Sequence, residues 1–154
     1  MRVWRLARAA HAELDGEGAR LYGARWTSVG VAAVYAAEHL SLAALEYLVH
    51  VDIEDAPDDL MAVEIEVPDD AGELAFADGD LPRAWRDTPA PEACRQVGDR
   101  WAGEGEALVL RVPSVLVPEE SNVLVNPAHP RASEVRAVGE RRFVYDPRLL
   151  RGGG

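Results

Sequence analysis

Four side chains stand out of keeping with their surroundings, and each has chemistry to offer. Glu46 lies in EHLSLAALEYLVH (Glu38–His50), where Leu42, Leu45 and Val49 recur at i, i+3 and i+7 and mark one face of an amphipathic helix. Glu46 falls on the same stripe, four residues after Leu42 and three before Val49. A carboxylate turned toward a core is unfavourable by several kcal/mol unless it is paired. Glu46 is therefore either half of a structural ion pair with an arginine or a functional acid. Arg25 stands between small residues and Trp26, just before the first long apolar run. It can present a planar fork to a phosphate or carboxylate, or serve as a structural arginine. Tyr35 shares a face of VAAVYAA (31–37) with Val31 and Ala33, whose small side chains leave room beside its ring. That ring can stack on a flat ligand or belong to the core. Ser114 follows Pro113 at a break between two expected strands, where a side chain can face a cleft or simply make a turn.

Composition removes several alternatives. A chain of 154 residues with 48% hydrophobic and 28% charged residues suits one globular domain, taken here as 1–154. The net charge of −11, with no basic run, speaks against direct binding to nucleic acid or to an anionic membrane. All sixteen basic residues are arginine, so mechanisms that need a P-loop or Schiff-base lysine are excluded. A single cysteine and four scattered histidines form no metal-ligand pattern, and no metal is expected. There is no Rossmann glycine fingerprint and no nucleophile elbow. The glycines at 16 and 18, and at 103 and 105, read as turns. The N-terminus lacks a signal-peptide core, and no apolar run spans a bilayer, which indicates a cytoplasmic protein.

The elements that must position these residues follow from periodicity. Strands are expected at Met1–Arg8, Val31–Ala37, Leu60–Val67, Ala107–Val112, Val115–Val117, the start of Ser121–Pro130, and Arg141–Tyr145. Helices are expected at Glu38–His50 and after Pro89 and Pro91, the latter with Cys94, Val97 and Trp101 on its buried face. Cys94 is then a core residue and not a nucleophile. His11–Leu21 and the acidic stretch Asp69–Thr88 read as loops. Strands around two helices indicate an α+β domain with a mainly antiparallel sheet.

Taken together, GARW (23–26), VYAAEHLSLAALEYLVH (34–50), VPS (112–114), SNVLVNPAHP (121–130) and RRFVYDPRL (141–149) resemble the RES-domain toxins, named for an Arg, a Glu and a Ser and paired with Xre-type antitoxins. The Arg25–Tyr35–Glu46 spacing is the specific part. One departure is Thr27-Ser28, where the family often has Asn and a small residue. The resemblance implies an ADP-ribosyltransferase-like fold with flanking helices and a reaction on NAD+ as substrate. It implies Glu46, Arg25 and Tyr35 as catalytic residues, and Arg25, Tyr35 and Ser114 as NAD+-binding residues, with His39 and Arg20 as weaker supporting candidates. The implied reaction cleaves the nicotinamide–ribose bond. The ADP-ribose goes to a host protein in one reading, and to water or phosphate in another. A catalytically silent antitoxin-binding module is the reading from a different class. An Xre-type antitoxin is expected to cover the site and to form an oligomer with the chain.

Overall fold

The computed structural model describes residues 1–52, 55–149 and 151. The terminal glycines lie outside the described residues. One seven-stranded sheet dominates. β1 (Arg2–Arg8) pairs along its whole length with β3 (Leu60–Glu66), from Arg2 opposite Glu66 to Arg8 opposite Leu60. β3 pairs on its other side with β7 (Arg136–Arg142), with a register shift between Glu64 and Ile65. β2 (Val34–Ala37) is flanked by β1 and β6 (Ser121–Val125), and β6 by β5 (Val109–Pro113). β4 (Glu73–Ala75) closes the far edge and is parallel to β5; every other pairing is antiparallel. The sheet order is β4-β5-β6-β2-β1-β3-β7. This is the expected α+β architecture with a mainly antiparallel sheet.

Period-two alternation sorts the strands into two faces. Val3, Val34, Ala36, Val63, Ile65, Val123 and Val125 pack together on one. Ala37, Leu6, Leu60 and Ala62 face the other way, under α2 (Leu40–Leu48), which inserts Leu42 and Ala43. Beside them Leu110, Val112 and Leu124 meet α3 (Glu92–Glu104) through Cys94 and Trp101. α1 (Glu17–Tyr22) is a short surface helix before β2.

Two features of this frame shape the site. First, β1 and β2 share a single residue pair, Trp4 with Ala37, and then part, so the sheet has a fork in its middle. Second, α3 lies hard against the loop before β2. A Cβ at Gly98 would sit 1.8 Å from the Trp26 carbonyl oxygen, so only glycine permits this approach.

The expected strand at Arg141–Tyr145 lies further upstream, at Arg136–Arg142. This edge strand is almost wholly exposed, so no hydrophobic alternation marks it. Val115–Val117 is not a strand; the chain turns there on hydrogen bonds to Ser114. Two stretches read as loops contain short elements, α1 and β4, of six and three residues. Each is too short to show a period.

Candidate active site

Arg25, Tyr35 and Glu46 line one cavity of about 1000 Å³, large enough for a dinucleotide. Three separate segments bring them there. Arg25 and Trp26 sit on a tight turn in which the Ala24 amide donates to the Thr27 carbonyl at 2.9 Å. Asp99 of α3 anchors this turn. Its carboxylate accepts from the Ser28 backbone N–H at 2.8 Å and from the Ser28 hydroxyl at 2.5 Å. Trp26 is buried against Trp85, with ring centroids 6.0 Å apart. The Arg25 guanidinium reaches across the cavity edge. Nη1 donates to the Trp85 and Asp87 carbonyls, both at 2.8 Å, and Nη2 to the Thr88 hydroxyl at 3.4 Å. Arg25 thus ties down the 85–88 segment, whose Thr88 lines the cavity, and two of its N–H groups have no acceptor among the described residues.

Tyr35 is fixed by its hydroxyl, 2.8 Å from the Thr27 hydroxyl. Burial pushes its phenol well above the ordinary tyrosine range, so the group stays neutral. Thr27 and Ser28 are both used: one holds the tyrosine, the other holds α3.

Glu46 is not turned into the core. Leu42 is buried, but Leu45 and Val49 are 43% and 56% exposed. Glu46 and Val49 line the cavity instead, and the core side of α2 is formed by Leu42 and Ala43, with Leu40, Ala44 and Leu48 packed beside them. Glu46 is accordingly half-buried in the cavity wall. Its Oε1 accepts two hydrogen bonds of 2.7 Å, one from the Ser114 hydroxyl and one from the Asn122 side-chain amide. Oε2 has no partner among the described residues. No arginine pairs with Glu46 among them, so the ion-pair reading of its spacing is not met.

Ser114 occupies a different place from the one expected of a ligand-binding residue. It has no exposed surface and is absent from the cavity wall. Its oxygen accepts from the Leu116 and Val117 amides at 3.0 and 3.2 Å while donating to Glu46. All of its bonding capacity is spent on the protein, so the geometry makes it a support for Glu46. Asn122 was not foreseen; nothing in SNVLV distinguishes a strand asparagine that faces a carboxylate.

The weaker candidates lie elsewhere. Arg20 pairs with Glu17 on the surface of α1. His39 opens α2 with Nδ1 3.1 Å from Glu120. Glu38, His39 and Glu120 bring three ligand-type atoms within 4.8 Å of one another, but Glu38 is already engaged by Arg111 and by the Ser121 amide. Cys94 is fully buried, and burial pushes its thiol up, as suits a core residue and not a nucleophile.

With this geometry in view, comparison with known proteins is decisive about kinship. The RES domain family model matches residues 2–146. The chain belongs to the RES domain family. A RES relative from Sphingobium sp. (strain YBL2), named Prs ADP-ribosylating toxin, is 44% identical, with 96% of each chain covered. One from Yersinia enterocolitica, named Toxin Res, is 38% identical over 87% of this chain and 88% of its own. Among solved structures, the M. tuberculosis MbcT-MbcA toxin-antitoxin complex contains a chain that matches with a TM-score of 0.75 at 18% identity. The match covers 97% of this RES chain and 86% of that one, and it shows that the fold is shared. No helix among the described residues is long and apolar enough to cross a membrane.

Proposed function

We propose that this RES protein is an NAD+-consuming toxin that breaks the nicotinamide–ribose bond and transfers ADP-ribose to a protein of the cell in which it acts. The observation that carries this reading is Glu46. One carboxylate oxygen is held by two donors and the other has no partner among the described residues, in the wall of a cavity of dinucleotide size. When the glycosidic bond breaks, nicotinamide leaves with the bonding electron pair and positive charge grows on the ribose. A fixed carboxylate stabilises that charge with no reorganisation at the moment of reaction. The acceptor's nucleophile then bonds to the ribose carbon and gives up its proton.

In this reading the Tyr35 ring, with its hydroxyl tied to Thr27, offers a neutral platform for the nicotinamide. Arg25 offers its two remaining N–H groups to the pyrophosphate, which the −11 charge of the chain would otherwise repel. Ser114 acts through Glu46. A protein acceptor is favoured by the name of the Sphingobium relative. Water or phosphate would use the same donor half of the site. A silent binding module has no need of a carboxylate held with one free oxygen, and is disfavoured for that reason.

Such an activity would harm the cell that makes the protein and calls for an inhibitor, which the RES resemblance implies is an Xre-type antitoxin. Tyr22, Val29, Val49 and Leu116 stand exposed around the cavity mouth, a rim on which a partner can sit and block NAD+ entry. The acidic surface calls for a basic patch on that partner, with association slowed by salt. Expression of the chain alone should arrest growth, and co-expression of the antitoxin should restore it. NAD+ labelled in the adenylate and incubated with lysate should place the label on a protein. Label on free ADP-ribose or its phosphate would move the acceptor to water or phosphate, and soluble protein without nicotinamide release would leave the silent module.

A further inference from the structure

We propose that Arg95 joins Arg25 in gripping the pyrophosphate of the substrate, so that the α3 side of the cavity is a two-arginine anion site; the inference rests on the NAD+ reading. Both side chains line the cavity, as do Thr88, Pro89 and Ala90. They converge on that segment from different parts of the chain, Arg25 from the turn before β2 and Arg95 from the opening turn of α3. Arg95 Nη1 donates to the Ala90 carbonyl at 3.0 Å, two residues on from the Thr88 hydroxyl that Arg25 reaches. Burial raises the Cys94 thiol, and Arg25 and Arg95 are the two charges that oppose it, which sets both guanidiniums around one residue.

Two cations brought to one segment repel each other unless an anion joins them. Among the described residues no carboxylate lies within ion-pair distance of either; their partners are carbonyls and one hydroxyl, which carry no charge. Arg95 has ion-pair spacing to two acids of its own helix, Glu92 three residues before it and Asp99 four after. It pairs with neither. Asp99 is spent on Ser28, and the Arg95 guanidinium turns to Ala90 and the cavity. Arg100 of the same helix, outside the cavity lining, does take the carboxylate at that spacing, Glu104 at 3.4 Å. Four of the five N–H groups of Arg95 have no acceptor among the described residues. The wall as a whole inverts the charge of the chain. Against 27 acids and 16 arginines overall, the cavity is lined by three arginines, Arg5, Arg25 and Arg95, none in an ion pair among the described residues, and by one acid, Glu46. Such a wall draws in an anion that the net charge of −11 would otherwise repel. A pyrophosphate offers oxygens on two phosphorus atoms, enough to receive a fork from each arginine. Glu46 is then left for the cationic end of the same ligand.

Calorimetric binding of ADP, adenosine, ADP-ribose and inorganic phosphate to the wild type, Arg95→Gln, Arg95→Lys, Arg25→Gln and the double variant tests this, with circular dichroism to establish folding. Wild type should prefer ADP to adenosine. Arg95→Gln should shrink that preference by roughly 10- to 100-fold, the loss expected for charged hydrogen bonds, with adenosine affinity unchanged. Arg95→Lys should keep part of it, because a point charge replaces the fork. The double variant should depart from the product of the single losses by roughly threefold or more, since two side chains on one group do not act independently. Arg100→Gln, which removes the same charge from α3 outside the cavity, should leave the preference as it is. A folded Arg95→Gln that keeps the full preference overturns the proposal, as does one that loses ADP and adenosine alike, the mark of a purely structural role. So do single losses that simply multiply in the double variant, or an equal loss in Arg100→Gln. If Arg95→Gln does not fold, an undiminished preference in Arg95→Lys overturns it. Arg95-dependent binding of inorganic phosphate to the ADP-bound protein would assign the residue to free phosphate and overturn the substrate assignment. Wild type that binds neither ADP nor ADP-ribose would remove the NAD+ reading and this inference with it, whereas nucleotide binding indifferent to Arg95 removes the inference alone.

Discussion

Ser114→Ala separates support of the proposed catalytic carboxylate, Glu46, from contact with the ligand. The substitution removes one hydroxyl that makes three hydrogen bonds: to Glu46 at 2.7 Å, and from the Leu116 and Val117 amides at 3.0 and 3.2 Å. The two amides lose their acceptor in a part-buried turn, which should lower stability by about 1–3 kcal/mol. Glu46 keeps Asn122 but loses the second of its two donors, so its free oxygen is no longer held in one direction. Loss of a direct charge stabiliser lowers turnover by roughly 10²–10³. Loosening one that remains should have a smaller effect, roughly tenfold in kcat. Since Ser114 has no surface in the cavity, KM for NAD+ should stay within about twofold. Steady-state nicotinamide release measures both parameters, and urea unfolding measures stability. A raised KM with unchanged kcat would refute the reasoning, because it would mean that Ser114 touches the ligand.

Arg25→Ala should weaken NAD+ binding and loosen the Trp85–Thr88 segment, and Arg25→Lys should recover only part of the affinity; full nicotinamide release at low NAD+ in both variants would make Arg25 purely structural. Gly98→Ala should destabilise the fold by about 3 kcal/mol in urea unfolding, because its Cβ meets the Trp26 carbonyl at 1.8 Å. Gly103→Ala, with open space around it on the same helix, should stabilise by about 0.5–1 kcal/mol, and similar behaviour of the two would contradict the packing described for α3. Burial pushes the Tyr35 phenol above its usual 10.0 and the Tyr145 phenol up to about 12, so the folded chain holds both protons more tightly than the unfolded one. Stability should therefore be intact below pH 10 and fall as pH rises past it, with a shallower fall in Tyr145→Phe, and an unaltered slope in that variant would count against its burial.

Strands and helices that bury one face were legible because burial writes a period into the sequence. β1, β3, α2 and α3 were found for this reason, and Cys94 and Trp101 sit in the core as their spacing required. β7 and β4 were displaced or missed because they are exposed edges. Glu46 stands out as a charge on an apolar stripe, yet of that stripe only Leu42 is buried, Leu45 is exposed, and Glu46 and Val49 line a cavity. Periodicity alone cannot tell a core from a cleft. The supporting residues were out of reach for another reason. Asn122 and Asp99 act through partners 76 and 71 positions away in sequence, and only the folded chain brings them together.

The central claim is that the charge of Glu46 drives cleavage of the nicotinamide–ribose bond, and Glu46→Gln addresses it directly. Glutamine keeps an oxygen to accept from Ser114 and Asn122, so the fold and the site's shape survive while the charge is lost. Nicotinamide release from NAD+ should be measurable with the wild-type protein and fall by roughly 10²–10³ in the folded variant. Release at the wild-type rate by a folded Glu46→Gln would contradict the account.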